Sequence, residues 1–186
     1  GCVTAACLAH LDHSVVGVDP DPHKVEAVNQ SRSPVYEPGL DEIVRAAVAA
    51  GRLTASQHLG PALAKSDIAL ICVGTPSGPD GDLNVVHLRN VAGEIANLIA
   101  GRQEPLVVVI RSTVFPGTCE MMASLIGHRD RVSVVSNPEF LREGSAVKDF
   151  KEPTLLVVGG KDQTAVARVA ALYSKLPGQA NLVSVE

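Results

Sequence analysis

The sequence predicts an α/β fold, a doubly wound and mostly parallel sheet, on three observations. Short β-branched runs alternate with longer segments whose apolar residues recur three and four apart. Several runs, LVVVI (106–110) among them, are apolar at every position, as strands covered by helices on both faces must be. Strict strand–helix alternation requires parallel strands joined by right-handed crossovers.

The chain opens with GCVTAACLAHLDHSVVGVDP (1–20), a small-residue helix followed by a strand over 14–19 that ends in Asp19. In a dinucleotide-binding βαβ unit a glycine opens the first helix. An acid at the tip of the second strand accepts hydrogen bonds from the adenosine ribose. Gly1 fits the last glycine of G-x-G-x-x-G, which makes the fold Rossmann-like with its first strand missing from the sequence. Asp19 stands before Pro-Asp-Pro, so a cap on the next helix is the competing reading. With no arginine nearby, Asp19 favours NAD over NADP, because its carboxylate repels a 2′-phosphate. Lys24, one turn into the next helix, either reaches the same ribose or is a solvated surface lysine. In the usual strand order the missing strand is central. Its removal is expected to leave the second and fourth strands unpaired and residues 1–186 unstable alone.

The remaining strands are predicted at 52–56, a weak RLTAS, then 67–74, 105–113, 131–137, 154–160 and 181–185. VVHLRNVAGEIANLIAG (85–101) reads as a helix with a stripe of Val86, Val91, Ile95, Leu98 and Ile99, capped by Gly101. QTAVARVAALYSKLPG (163–178) reads as another, stopped at Pro177-Gly178. No repeat, low-complexity tract or linker interrupts the chain, which suits one domain.

Composition excludes several classes. Of 186 residues 46% are hydrophobic, enough for one sizeable core, and the longest apolar runs are far shorter than the about 20 residues a bilayer span needs. With 16 basic and 20 acidic residues the net charge is −4 and no basic cluster appears, which argues against nucleic acid or an anionic membrane as partner. Cys2, Cys7, Cys72 and Cys119 are scattered without a C-x-x-C pair, so no metal site is expected. They read as reduced thiols packed as small hydrophobes, and with no signal peptide visible the expected location is cytoplasmic.

Ligands of open α/β sheets sit beyond the carboxyl ends of the strands. The strand at 67–74 runs into VGTPSGPDGDL (73–83), where Gly74 permits close backbone approach and Thr75 offers a hydroxyl. The strand at 105–113 ends in Arg111-Ser112-Thr113, and Pro116-Gly117-Thr118 starts a helix. The strand at 131–137 ends in NPEFLREG (137–144), with Glu139 and Glu143 on one face if that segment is helical. Any one of these is an ordinary turn. Three on one sheet edge make a candidate site.

The set EPGL (37–40), ICVGTP (71–76), RSTV-x-PGT (111–118) and NPEFLREG (137–144) closely resembles the UDP-glucose/GDP-mannose dehydrogenase family, in its order and spacing along the whole chain. The resemblance implies NAD as cofactor and a nucleotide sugar as substrate. The sugar's primary alcohol is oxidised twice to a uronic acid, through a cysteine thioester. By match, Gly1, Asp19, Lys24, Val73, Gly74, Thr75, Ser112, Thr113 and Glu143 bind the cofactor. Thr113 and Glu139 are catalytic, serving the reacting carbon and the hydrolytic water. Glu139, Phe140, Leu141 and Arg142 meet the sugar nucleotide. The catalytic cysteine's Gly-Gly-x-Cys motif, its partners and the dimerisation helix are expected beyond residue 186. Residues 1–186 thus read as a partial N-terminal NAD-binding domain, inactive alone, of a protein that is a homo-oligomer at full length. RSTV-x-PGT, GDL (81–83) and the NPEFLREGSAVKDF-x-x-P run look more like GDP-mannose dehydrogenases than UDP-glucose ones, which favours GDP-mannose over UDP-glucose and N-acetylated sugars. Two alternatives stay open: a stand-alone dinucleotide-binding module without catalysis, and a 3-hydroxyacid or 6-phosphogluconate-type dehydrogenase.

Overall fold

The computed structural model describes residues 1–77, 82–176 and 182–185. In chain order its elements are α1 (Cys2–His10), β1 (Val15–Val18), α2 (Pro22–Asn29), α3 (Leu40–Ala49), β2 (Leu53–Ser56), α4 (Leu59–Leu63), β3 (Ile68–Ile71), α5 (Val86–Ile99), β4 (Leu106–Ile110), α6 (Thr118–Ile126), β5 (Val132–Ser136), α7 (Ala146–Lys151), β6 (Leu156–Gly159), α8 (Gln163–Ala171) and β7 (Leu182–Val185). Strands and helices alternate as the periodicity predicts. All seven predicted strands form, although Gly81, Pro177, Gly178 and Asn181 lie outside the described residues.

The chain divides into two compact units. One comprises Gly1–Ala62, Phe140–Leu156 and Ala171–Leu182. Here α1 buries Thr4, Ala6, Cys7, Leu8 and Ala9, residues small enough to let it pack against α3, α7 and β1. β1 and β2 pair in parallel, Val15 opposite Leu53 through Val18 opposite Ser56. They form a sheet of their own, and Val16 and Val18 stay exposed. α3 is amphipathic, burying Leu40, Ile43, Val44 and Ala47.

The other unit comprises Leu63–Glu139, Val157–Ala170 and Val183–Glu186. The second sheet runs in the order β3-β4-β5-β6-β7. β4 is parallel to both β3 and β5, and all five of its side chains are buried, as its unbroken apolar run predicts. α6 begins where predicted, with Gly117 as N-cap at φ +88°, a left-handed conformation that glycine adopts without a Cβ clash.

Four expectations are corrected. The buried stripe of α5 is Leu88, Ala92, Ile95 and Ile99, while Val86 and Leu98 are exposed. At about 100° per residue Val86 falls on the opposite face from Leu88. Gly101 is not a left-handed cap, since Ala100 ends the helix in right-handed geometry. α8 stops at Ala171, where the chain passes into turns. Finally, β6 meets β5 antiparallel, through Ser136 and Gly159. An antiparallel neighbour needs no long crossover, and only the six-residue α7 lies between the two strands.

Candidate functional site

In the first unit β1 delivers Asp19 to its carboxyl end. One carboxylate oxygen accepts the N–H of Asp21 at 3.0 Å, and the other meets Lys24 Nζ at 3.4 Å. The helix cap itself is Asp21, whose side chain accepts from the N–H of His23 at 2.9 Å. Asp19 is therefore not the cap of α2. Its side chain stays 40% exposed, partnered by a lysine and no arginine, which fits a ribose diol better than a 2′-phosphate. Gly1 lies exposed at the N-cap of α1.

The same unit holds Phe140, Leu141, Arg142 and Glu143. Residues 137–142 form neither helix nor strand, so the helical face imagined for Glu139 and Glu143 does not exist. The loop is shaped instead by two carboxylates. Asp149 accepts from the N–H of Arg142 at 3.0 Å, from its guanidinium at 3.0 and 2.7 Å, and from Ser145 Oγ at 3.1 Å. The Arg142 guanidinium and N–H hold the Asp149 carboxyl well below the usual carboxylate range. Glu37, from EPGL, accepts the N–H groups of Gly144 and Ala146 at 3.0 and 2.8 Å. Gly144 sits at φ +81°, the left-handed turn that glycine permits. Phe140 and Glu143 are exposed.

In the second unit the ends of β3 and β4 are clipped together. Ser112 Oγ donates to the carbonyl of Val73 at 2.6 Å, and Thr75 Oγ1 donates to that of Thr113 at 2.8 Å. These exchanges tie four of the predicted residues into one edge. A Cβ on Gly74 would meet nothing within 4 Å, so the chain's own packing leaves space there. Glu139 follows β5, and its carboxylate lies 3.6 Å from Nε of Arg111. Arg111 is only 3% exposed. Its Nη1 donates to Asn137 at 3.0 Å (Oδ1) and 3.2 Å (main-chain O), and Asn137, fully buried, donates from Nδ2 to Val157 at 2.7 Å.

Sequence reasoning missed Arg111, Asn137, Glu37 and Asp149 as site-building groups. A signal for the first was present: a charged residue directly after five buried apolar ones must be paired. For Glu37 the signal was a motif match without a role. All four cysteines are free, and burial pushes each thiol up, Cys7 to about 11. Among the described residues no group of three or more His, Cys, Asp or Glu is arranged to hold a metal, and no helix is long and apolar enough to cross a membrane.

Comparison with known proteins identifies relatives of this chain. Residues 1–177 match the model of the UDP-glucose/GDP-mannose dehydrogenase family, NAD binding domain. GDP-mannose 6-dehydrogenase of Pseudomonas putida is 37% identical over 183 residues, 95% of this chain and 42% of that protein. UDP-glucose 6-dehydrogenase of Rhizobium meliloti is 42% identical over 182 residues, 95% of this chain and 41% of that protein. Among solved structures, the ternary complex of Pseudomonas aeruginosa GDP-mannose dehydrogenase superposes with a TM-score of 0.93 at 35% identity, covering all of this chain and 44% of the other. The UDP-glucose dehydrogenase of Pyrobaculum islandicum gives 0.93 at 36%, with the same coverage. The chain thus spans less than half the length of these relatives. With its NAD-binding fold, its strand-end motifs and a family match over nearly all its length, the chain belongs to the UDP-glucose/GDP-mannose dehydrogenase family.

Proposed function

We propose that this chain is the cofactor-binding part of an NAD-dependent nucleotide-sugar 6-dehydrogenase, which oxidises a sugar's primary alcohol to a uronic acid. The observation that carries this reading is the interlocked edge of the second unit. There Val73, Thr75, Ser112 and Thr113 hold two parallel strand ends together beside the open space at Gly74. Bound NAD supplies the hydride acceptor. Asp19 and Lys24 take the adenosine ribose hydroxyls, and Gly1 opens the helix beneath the pyrophosphate. Val73, Gly74, Thr75 and Ser112 line the cofactor, and Glu143 serves the nicotinamide side.

Thr113 presents its hydroxyl, and Glu139 its carboxylate, to the reacting carbon and the attacking water. Glu139 is suited to proton transfer because it is a third exposed yet fixed against a buried guanidinium. Phe140, Leu141 and Arg142 offer backbone to the sugar nucleotide. Arg142 contributes least, since its N–H is donated to Asp149 and its carbonyl already accepts from Ser145. The thioester step needs a thiolate, and all four thiols here are held protonated by burial, so these residues alone do not complete it. The RSTV-x-PGT and NPEFLREG runs favour GDP-mannose over UDP-glucose as substrate, and the full-length protein is a homo-oligomer.

A second reading is a dinucleotide-binding module without catalysis. One assay separates the two. The protein encoded by the intact gene is given NAD with GDP-mannose, UDP-glucose or UDP-N-acetylmannosamine, and NADH is counted per sugar. Two NADH per sugar is the expected result. One per sugar overturns the double oxidation, and tight NAD binding without any NADH supports the module.

A further inference from the structure

We propose that Glu37 is a positioning residue for the nucleotide-sugar loop, so that EPGL sets the geometry of NPEFLREG from 107 residues away. The inference rests on the functional reading above. Each Glu37 carboxylate oxygen accepts one main-chain N–H, Oε2 from Gly144 and Oε1 from Ala146. Charge-assisted bonds of this kind are about twice as strong as neutral ones.

The loop needs an outside acceptor for a local reason. Ser145, the N-cap of α7, makes no side-chain cap bond to a helical N–H, and its hydroxyl donates to Asp149. The first helical N–H, that of Ala146, goes to Glu37 instead. Phe140, Leu141, Arg142 and Glu143 have no strand or helix of their own to fix them. Asp149 anchors the loop at Arg142 and Glu37 anchors it just after Glu143. Glu37 itself is fixed through the chain, since its carbonyl accepts the N–H of Leu40, a fully buried residue that opens α3. A carboxylate that served stability alone would bind its loop without setting the affinity for one substrate. Glu37 acts on the nucleotide sugar through the backbone that meets it, and leaves the Asp19–Lys24 ribose site untouched.

The test uses Glu37→Ala and Glu37→Gln in the protein encoded by the intact gene. Steady-state kinetics are run with GDP-mannose and UDP-glucose, and amide hydrogen exchange is read at Gly144 and Ala146. In Glu37→Ala both amides are expected to lose protection. The KM for the nucleotide sugar should rise about tenfold, which converts to about 1.4 kcal/mol. The KM for NAD and kcat should stay within about twofold. Glu37→Gln keeps one acceptor oxygen, so it should rescue part of the loss and guard against a variant that merely fails to fold. Unchanged protection at both amides overturns the latch. Losses shared equally by sugar KM, NAD KM and kcat overturn the positioning role and leave a purely structural carboxylate. A wild-type protein that oxidises no nucleotide sugar removes the functional reading beneath the proposal. A working enzyme whose sugar KM is unmoved in Glu37→Ala removes the positioning role alone.

Discussion

Replacing Arg111 with methionine tests whether the strand-end site is built on a buried cation. Arg111 is 3% exposed and gives two Nη1 bonds to a fully buried Asn137. Hydrogen bonds to charged groups are worth about 1.5–3 kcal/mol each. Their joint loss sets a scale of about 3 kcal/mol at the lower bound. The ion pair to Glu139 adds under about 1 kcal/mol, because that carboxylate is a third exposed and solvent screens it. Methionine's own burial returns about 1 kcal/mol, so the net loss should be about 3 kcal/mol. For a chain of this size that lowers Tm by about 6–12 °C. Thermal unfolding followed by circular dichroism, on wild type and variant of the same length, gives the number. Arg111→Lys keeps the charge but not the guanidinium's fork of donors, and should lose about half as much. A loss below about 1 kcal/mol in Arg111→Met refutes the reasoning. Asn137 would then be held by its other partners and Arg111 would be incidental to the site.

Other perturbations separate the remaining roles. Glu139→Gln should slow release of the acid more than the first hydride transfer in single-turnover assays, whereas equal losses in both steps mark a structural glutamate. Asp149, held low by Arg142, contributes its full stabilisation above the unfolded pKa of about 3.9, and that contribution is lost progressively as pH falls from there toward the much lower folded value. Melts of wild type and Asp149→Asn should therefore differ at pH 7 by a gap that begins to narrow only as pH falls below about 4, while a gap constant from pH 7 to about pH 2 sinks the linkage. Cys7, pushed up to about 11, should alkylate at pH 8 about two orders of magnitude more slowly than in the unfolded chain, where a thiol titrates near about 8.5. Reaction at the unfolded rate shows that the thiol is not buried in solution.

Much of the fold was legible because burial writes itself into residue type. Val107, Val108 and Val109 could sit only in a strand covered on both faces, and β4 is that strand. The stripe of α5 was misread because it is built on Leu88 and Ala92, and alanine is easily passed over beside the larger Val86 and Leu98. The direction of β6 was not legible at all. Alternation of elements implies parallel strands only when each connection is a full crossover, and the six residues of α7 are too few to announce the exception.

The site divides along a similar line. The place of Asp19 at a strand tip was legible from position alone. Residues that act on the backbone of another segment were not. Glu37 and Asp149 look like ordinary surface acids in sequence, because the N–H groups they accept carry no residue signature. A helical segment would place Glu139 and Glu143 on one face at the strand mouth. The loop between them is not a helix, and the two carboxylates that shape it are Glu37 and Asp149. Motifs that match a family without an assigned role are therefore where remote positioning groups should be sought. A motif carboxylate that finds its partners in a distant loop's amides can dictate where that loop's own residues stand.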